Sequence, residues 1–347
     1  RIHMKTLVVN RDGSLEIVEV EKPAITPKQA LVKMISCGIC NGTDAKLIHH
    51  KFKGFGEDRY PLMLGHEGVG EVVSLGSEVT SFHLGDKVLL PFVNADSETY
   101  GTLESGWGAF SEYGVVDDPA AYPVGTAPDC AYAQTVLPDG IDPVDASMII
   151  TLREVLSSIK RFGIKENQSV AIFGCGPVGL TFIRFMSLLG IHPIIAFDII
   201  PEKLEEAKAC GATYIFNSGT ENVKEAVRKI CPEGVQYVVD AVGISSLINQ
   251  GMELICDTGQ ICCYGIAPNL NMELDWSKSP YNWKLHFQQF PSKKEEGKAT
   301  NQILAWIQSG AIDLKDYISD YFRFDEILEA FEKLEEKKIA KKGIIVF

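Results

Sequence analysis

The chain has 347 residues, of which 46% are hydrophobic and 23% are charged, and its formal net charge is −13. This length exceeds what one hydrophobic core ordinarily supports, so two domains are expected. No apolar run reaches the ~18 residues that a membrane span needs. The negative charge opposes binding to nucleic acid or anionic lipid, and no long basic run offsets it. We therefore expect no nucleic-acid partner and no membrane partner.

The cysteines and the amino terminus indicate a compartment. There are nine cysteines, an odd number, and they are scattered among apolar stretches. The amino-terminal residues lack the apolar core and cleavage pattern of a secretory signal peptide. Both features are typical of reduced thiols rather than a disulfide framework. The sequence therefore predicts a cytoplasmic protein.

The first third of the chain has a strand pattern. From Met4 to about Val116, short apolar segments are broken by Gly, Pro, Asp and Asn turns. Residues 15–20 alternate between apolar and charged side chains, as a half-buried strand does. Residues 68–73 and 86–90 continue the pattern. This region is predicted to be a β-rich barrel or sandwich.

The pattern changes near residue 150, where we place a domain transition. Helical spacing replaces the strand pattern from Pro143 to Arg161. Beyond it, apolar strands alternate with amphipathic helices, which favours crossover units and a parallel sheet. Predicted strands are residues 170–173, 194–198, 237–240, 260–265 and 343–347, and predicted helices run over 180–189 and from Pro201 to Gly211.

A glycine-rich turn follows the first of these strands. Gly174, Gly176 and Gly179 form the pattern G-x-G-x-x-G, with Pro177 and Val178 at the start of the next helix. The glycines suit a tight turn, a close approach to a pyrophosphate, and a helix–strand contact, in that order. The helix amino terminus supplies N–H donors to phosphate. The alternative is a glycine turn without a ligand.

A carboxylate ends the second strand of this half. Asp198 lies 19 residues after Gly179, where an acidic side chain binds the ribose hydroxyls of NAD and repels a 2′-phosphate. Val242 and Gly243 follow a later strand and are expected near the same crevice, because ligands bind beyond the carboxyl ends of such strands. The sequence therefore predicts NAD as the cofactor.

A second group of residues suggests a metal site. Cys40, His66 and Glu67 offer a thiolate, an imidazole and a carboxylate, a mixed donor set that zinc accepts in open catalytic sites. The alternative is a buried thiol beside a core histidine. The nucleotide-binding pattern about a hundred residues later favours the metal site.

Taken together, these motifs resemble those of the zinc-dependent medium-chain dehydrogenases, a family that includes alcohol, sorbitol, threonine and glucose dehydrogenases. The resemblance covers nearly the whole chain from Met4. It rests on residues 37–40, 43–44, 65–67, 85–88 and 108–113 and on the spacing to Gly174. It implies an α/β protein with a GroES-like β-rich catalytic domain (1–150), a doubly wound Rossmann domain that binds NAD (151–289) and a return to the catalytic domain (290–347). It also implies a homodimer or homotetramer.

The resemblance assigns roles by position. Cys40 and His66 are expected to bind one catalytic zinc, and Glu67 is expected to bind it or to lie beside it. Thr43 matches the hydroxyl that relays the substrate proton, and Asp44 matches a carboxylate that orients His66 through its other ring nitrogen.

Three departures qualify these roles. Asn41 is inserted after Cys40, which is expected to make the loop bulge and to weaken the roles of Thr43 and Asp44. Ile150 occupies a position that often holds another zinc ligand. Glu154, one helical turn later, is either its replacement or a solvated carboxylate. Residues 91–100 contain no cysteine, so the four-cysteine structural zinc of many relatives is not expected.

The predicted activity is NAD-dependent oxidation of an alcohol by a zinc enzyme. A polyol, sugar or cyclitol is favoured because polar and aromatic residues are expected in the cleft, although these side chains are equally suited to packing: Tyr100, Trp107, Trp283 and His286. Two other functions stay open. One is a zinc-free NAD(P)H reductase of the same fold, and the other is a non-catalytic binding protein.

Overall fold

The computed structural model describes residues 3–95, 100–265 and 270–347. The chain forms two compact units. Unit 1 comprises Arg1–Arg153 and Ser292–Phe347, and unit 2 comprises Glu154–Pro291. The second unit is thus inserted in the sequence of the first. The boundaries predicted from the sequence lie after residues 150 and 289.

The strands are numbered in chain order. They are β1 His3–Val9, β2 Leu15–Glu21, β3 Gln29–Gly38, β4 Leu62–Met63, β5 Gly68–Leu75, β6 Lys87–Leu89, β7 Glu104–Ser105, β8 Tyr113–Asp117, β9 Val170–Phe173, β10 Ile194–Asp198, β11 Tyr214–Asn217, β12 Val235–Asp240, β13 Ile255–Cys263, β14 Lys284–Phe287, β15 Ile318–Arg323 and β16 Lys342–Val346. The α-helices are Thr43–Ile48, Met148–Phe162, Pro177–Leu188, Pro201–Cys210, Val223–Ile230, Ser246–Met252, Lys293–Gly297, Thr300–Ser309 and Ile327–Glu335.

Unit 1 contains two sheets. One has the order β2-β1-β4-β7, and the other has the order β15-β16-β3-β5-β6 with β8 also paired to β3. Strand β2 pairs with β1 in antiparallel register, so that Leu7 lies opposite Ile17. The core beneath these sheets includes Val32, Leu62 and Val88, all fully buried. The predicted β-rich first domain is confirmed.

The carboxyl-terminal strand closes this unit. Strand β16 pairs antiparallel with β3, with Ile344 opposite Gly38 and Val346 opposite Ser36. The pattern predicted a strand over residues 343–347, and the structure places it one residue earlier. This pairing brings Lys342 beside the loop that follows β3.

Unit 2 is a parallel sheet with the order β11-β10-β9-β12-β13-β14. The strand order reverses at β9, which lies between β10 and β12, and such a reversal opens a ligand crevice at the carboxyl ends of the strands. The sheet buries Phe173, Phe197 and Val238. The doubly wound Rossmann architecture is therefore confirmed.

Helix lengths bear on the membrane prediction. In the described parts of the chain, each helix is either too short or too polar to cross a lipid bilayer.

Candidate active site

The loop after β3 presents Cys40 at the start of a short helix. The Cys40 N–H donates to Asp44 Oδ2 at 2.8 Å, and the Asp44 N–H donates to the Cys40 carbonyl at 3.1 Å. The Thr43 N–H points at Cys40 Sγ at 3.3 Å. Asn41, the inserted residue, is exposed. The turn therefore accommodates Asn41 while Asp44 stays in contact with Cys40.

A glycine turn between β4 and β5 presents the next two residues of the site. Gly65 has φ +109°, and a side-chain carbon there would lie 2.4 Å from the Phe110 nitrogen. The Ala109 N–H donates to the Gly65 carbonyl at 2.9 Å. Only glycine combines this backbone angle with so close a neighbour. The turn directs His66 and Glu67 toward Cys40.

Cys40, His66 and Glu67 form a compact donor group. One ligand atom from each residue lies within 4.8 Å of the other two. Among residues 3–95, 100–265 and 270–347, these three side chains are the His, Cys and acidic residues that lie close enough together to bind one metal ion. A thiolate, an imidazole and a carboxylate at such distances suit a zinc ion, which takes tetrahedral sulfur, nitrogen and oxygen ligands.

The two ring nitrogens of His66 face different carboxylates. Nε2 lies 3.5 Å from Glu67 Oε2, and Nδ1 lies 3.5 Å from Asp44 Oδ1. Neither Nδ1 nor Asp44 Oδ1 has a hydrogen-bond partner elsewhere among the described residues. Burial lowers the pKa of His66, but Asp44 and Cys40 raise it, and the net pKa is well above the ordinary value. The acidic groups around the imidazole thus favour a positive charge, which either a proton on the ring or a bound cation would supply.

Glu67 is buried and has its own partners. Its Oε1 accepts hydrogen bonds from Lys342 Nζ at 2.7 Å and from Thr151 Oγ1 at 3.0 Å. Burial raises the pKa of the Glu67 carboxyl, but the Lys342 and His66 charges lower it, and the net direction is downward. Neither Lys342 nor Thr151 was predicted from the sequence. The available signal was weak, because one lysine before an apolar strand usually lies in solvent.

The glycine-rich turn of unit 2 has the predicted form. Gly174 has φ +96°, and a side-chain carbon on Gly179 would lie 1.8 Å from the Gly174 carbonyl oxygen. A side-chain carbon on Gly176 would meet no atom within 4 Å. The helix Pro177–Leu188 starts directly after it, with Val178 in its first turn. Gly176 therefore leaves open space in front of a helix amino terminus.

Asp198 lies beside this turn at the end of β10. Its Oδ2 accepts the Cys175 N–H at 2.8 Å, and its Oδ1 accepts the Ile200 N–H at 2.9 Å. These two bonds orient the carboxylate at the carboxyl edge of the sheet. The edge of a parallel sheet is where such folds bind nucleotides.

A second loop meets the glycine turn. The Val242 and Gly243 N–H groups both donate to Asp240 Oδ1 at 2.9 Å. A side-chain carbon on Gly174 would lie 2.4 Å from Val242 Cγ2. The loop after β12 and the glycine turn therefore lie next to each other in unit 2.

Comparison with known proteins gives both parts of the chain a family. A family model described as the alcohol dehydrogenase GroES-like domain matches residues 26–126, and one described as zinc-binding dehydrogenase matches residues 177–292. The chain belongs to the zinc-dependent medium-chain dehydrogenases. The family assignment made from the motifs is confirmed, and with it an oxidoreductase of the alcohol dehydrogenase type.

Individual members of the family are similar to this chain over much of its length. (R,R)-Butanediol dehydrogenase of Bacillus subtilis is 25% identical over 280 residues, covering 74% of this chain and 76% of that protein. L-Threonine 3-dehydrogenase of Pyrococcus abyssi is 26% identical over 354 residues, covering 96% and 94%. The solved structure of an alcohol dehydrogenase from Thermus sp. ATN1 superposes with a TM-score of 0.77 at 25% identity, covering 99% of each chain.

Two zinc-related expectations drawn from the medium-chain dehydrogenases stay predictions. Ile150 is fully buried in unit 1, and Glu154 is the first residue of unit 2. The role of Glu154 as a zinc ligand remains a prediction. The expected absence of a four-cysteine zinc rests on the sequence of residues 91–100, of which 96–99 lie outside the described residues.

Proposed function

We propose that the protein is an NAD-dependent alcohol dehydrogenase with one catalytic zinc. The observation that carries this proposal is the convergence of Cys40, His66 and Glu67 within 4.8 Å. Zinc held there would act as a Lewis acid that lowers the pKa of a bound alcohol. The reaction takes a hydride from the alcohol carbon to the nicotinamide and a proton from the hydroxyl to solvent, giving a carbonyl product and NADH.

The side chains around the metal ligands have distinct proposed roles. Asp44 Oδ1 faces His66 Nδ1 and would keep the ring oriented so that Nε2 binds the metal. Thr43, which is nearly buried at the start of its helix, would accept the hydroxyl proton of the substrate and pass it on. The amide of Thr43 points at Cys40 Sγ and stabilises negative charge on that sulfur.

NAD is proposed over NADP because of Asp198. A carboxylate at this edge binds two ribose hydroxyls and repels a 2′-phosphate. Gly174, Gly176 and Gly179 would admit the pyrophosphate to the helix amino terminus.

Asp198→Asn removes the charge while keeping one acceptor, and it should raise kcat/KM with NADP relative to NAD. An unchanged ratio in both Asp198→Asn and Asp198→Ala would remove Asp198 from cofactor selection.

The substrate is proposed to be a small alcohol with a second polar group, such as a polyol, sugar or cyclitol. Butanediol and threonine, which give two relatives their names, both carry such a group. The Trp107 ring lies 5.5 Å from the His66 ring, beside the metal ligands. Tyr100 instead donates its hydroxyl to the Glu21 carbonyl, which suits packing. Trp283 and His286 lie in unit 2.

The deciding experiment measures zinc content and turnover together. The purified protein should contain about one zinc per chain. In a survey of simple alcohols, polyols, sugars and cyclitols, it should reduce NAD with members of one of these classes. Cys40→Ser should lose most of its zinc and its turnover. The matched control is Cys37→Ser, because Cys37 is a buried neighbour outside the donor group.

Full turnover in Cys40→Ser, or a zinc-free active chain, would instead favour the zinc-free reductase. No turnover with any alcohol, despite bound NAD, would favour a binding protein.

Two properties accompany the proposal. We expect a homodimer or homotetramer in solution, which light scattering after gel filtration would measure. A cytoplasmic location is expected from the cysteine content, and cell fractionation would test it.

A further inference from the structure

Trp107 has a backbone conformation that is unusual for a large side chain. Its φ is +74°, in the left-handed region, where residues other than glycine are uncommon and bulky ones are outliers. Its carbonyl accepts the Val93 N–H at 2.9 Å. A side-chain carbon on the following Gly108, whose φ is +75°, would lie 2.8 Å from Val93 Cβ. These contacts hold Trp107 in a strained form, and backbone strain of this kind is concentrated at functional sites.

Two phenylalanine rings brace the Trp107 indole. The Phe52 ring centroid lies 6.0 Å from that of Trp107 at an interplanar angle of 77°, and the Phe55 centroid lies 5.7 Å away at 52°. Phe52 and Phe55 also contact each other edge to face, with 5.5 Å between their centroids. Edge-to-face arrangements are among those that aromatic pairs prefer. The three side chains Phe52, Phe55 and Trp107 thus form one aromatic cluster.

The aromatic cluster is covered by the protein on only part of its surface. All three side chains are half-buried, and they pack in part against the core of unit 1. The Trp107 ring lies 5.5 Å from the His66 ring, so the open surface begins beside the proposed metal site. Arg59 lies over Phe55, with its guanidinium carbon 4.8 Å from the ring centroid, and pairs with Glu104. The cluster therefore presents an apolar surface that is bordered by charged groups.

A substrate that binds on this surface must combine an apolar face with hydroxyl groups. In a sugar or cyclitol ring, the C–H bonds that point to one side form a flat apolar face, and the hydroxyl groups surround it. The π face of an aromatic ring is negative and attracts such weakly positive hydrogens. An open-chain polyol loses more rotational freedom when it lies flat, because a ring is already rigid. The aromatic cluster therefore favours ring-shaped over open-chain substrates.

We infer that Trp107, braced by Phe52 and Phe55, determines substrate specificity by stacking on the C–H face of a ring-shaped alcohol, a sugar or a cyclitol. This inference rests on the proposed function and narrows its substrate class. The indole contacts the substrate and takes no part in binding the metal. Loss of the indole should therefore change the choice between substrates and leave the zinc content unchanged.

The test compares two ring-shaped probes, inositol and glucose, with the open-chain polyol sorbitol. Inositol and sorbitol have the same number of carbon atoms and hydroxyl groups. The parent chain should have a higher kcat/KM with at least one ring-shaped probe than with sorbitol. Trp107→Leu should lower this ratio about 2- to 10-fold, the range of one aromatic contact, mainly by raising KM for the ring-shaped probe. Trp107→Phe should retain most of the preference, because an aromatic ring remains. The control Trp276→Leu replaces an indole that is 67% exposed in unit 2.

Phe55→Leu covers the case in which Trp107→Leu fails to fold. It keeps the Trp107 indole and removes one bracing ring, so it should lower the same ratio by a smaller factor. Three results would overturn the inference: a parent chain that prefers open-chain alcohols, a folded Trp107→Leu protein that keeps the parental ratio, or loss of zinc in that protein. A parent chain that bound no zinc, or that reduced NAD with no alcohol, would contradict the proposed function instead.

Discussion

Asp118 shows at the scale of one residue what a buried carboxylate contributes to unit 1. It is fully buried, and its Oδ2 accepts the N–H groups of Thr80 and Ser81 at 2.8 and 2.9 Å. Its Oδ1 accepts the Ala120 N–H at 2.9 Å. Burial raises the pKa of the Asp118 carboxyl, but the hydrogen bonds lower it by a larger amount. The net pKa is therefore below the ordinary value of an aspartate. The charged form is therefore the one that the folded chain stabilises.

Asp118→Asn should destabilise the protein near neutral pH by about 1–3 kcal/mol, because an amide cannot accept from all three donors. The pKa of Asp118 is lower in the folded chain than in the unfolded chain, where it is ~3.9. The stabilisation by the charged carboxylate is therefore fully present above the unfolded pKa and is lost as the pH falls through the folded pKa. The difference between parent and variant should shrink below about pH 4. Urea unfolding across this pH range measures it, with the exposed Asp139→Asn as control. A difference that stays constant down to acid would contradict the assignment.

At the scale of one element, the strand–turn–helix of unit 2 gives each glycine a separate role. Gly179→Ala should destabilise the fold by roughly 3 kcal/mol or more, since the new carbon would lie 1.8 Å from the Gly174 carbonyl oxygen. Gly176→Ala should fold with stability within about 0.5 kcal/mol of the parent, because open space surrounds that position. It should nevertheless weaken NAD binding, since its methyl group enters the path of the pyrophosphate. Thermal unfolding and titration calorimetry measure the two effects. NAD affinity unchanged in Gly176→Ala would show that the pyrophosphate does not bind there.

Elements with a strong local pattern were predictable. Strands β9 and β10 match residues 170–173 and 194–198, because continuous apolar runs between turn residues identify buried parallel strands. Strand β13 begins at Ile255, before the predicted start at residue 260. The discrepancy arises because Asp257, Thr258 and Gly259 interrupt the apolar pattern without ending the strand.

The residues of the candidate site likewise differ in whether a local sequence pattern identifies them. Cys40, His66, Glu67 and Asp198 were identifiable because their residue types suit metal or ribose and because motifs surround them. Lys342 and Thr151 were not, because their contacts depend on the pairing of β16 with β3, which joins distant segments. The insertion of Asn41 was expected to weaken the role of Asp44. In the structure, the bond from the Cys40 N–H to Asp44 spans the insertion and keeps the carboxylate beside His66.

At the scale of the whole molecule, each unit holds a different proposed ligand. The donor residues Cys40, His66 and Glu67 belong to unit 1, and the glycine turn with Asp198 belongs to unit 2. A ligand that binds only the folded form stabilises it by about 2.7 kcal/mol at one hundred times its Kd. Each ligand should therefore protect its own unit most strongly.

Hydrogen exchange with mass spectrometry measures this protection along the chain. Removal of zinc by a chelator should raise exchange around residues 36–70, and NAD should lower exchange around residues 170–200 and 240–243. The chelator-treated Cys40→Ser protein serves as a control, since it has little zinc to lose. Faster exchange in unit 2 alone after chelation would contradict the placement of the metal.

The pairing of β16 with β3 has a consequence for biosynthesis. Lys342 is 275 positions after Glu67, so a ribosome that adds ~5–20 residues per second needs roughly 15–55 seconds to supply it. During that interval Glu67 lacks the ammonium group that donates to its Oε1 in the folded chain. Unit 2, one continuous segment, can fold meanwhile. The proposed metal site is therefore expected to gain this contact late in synthesis, when β16 pairs with β3.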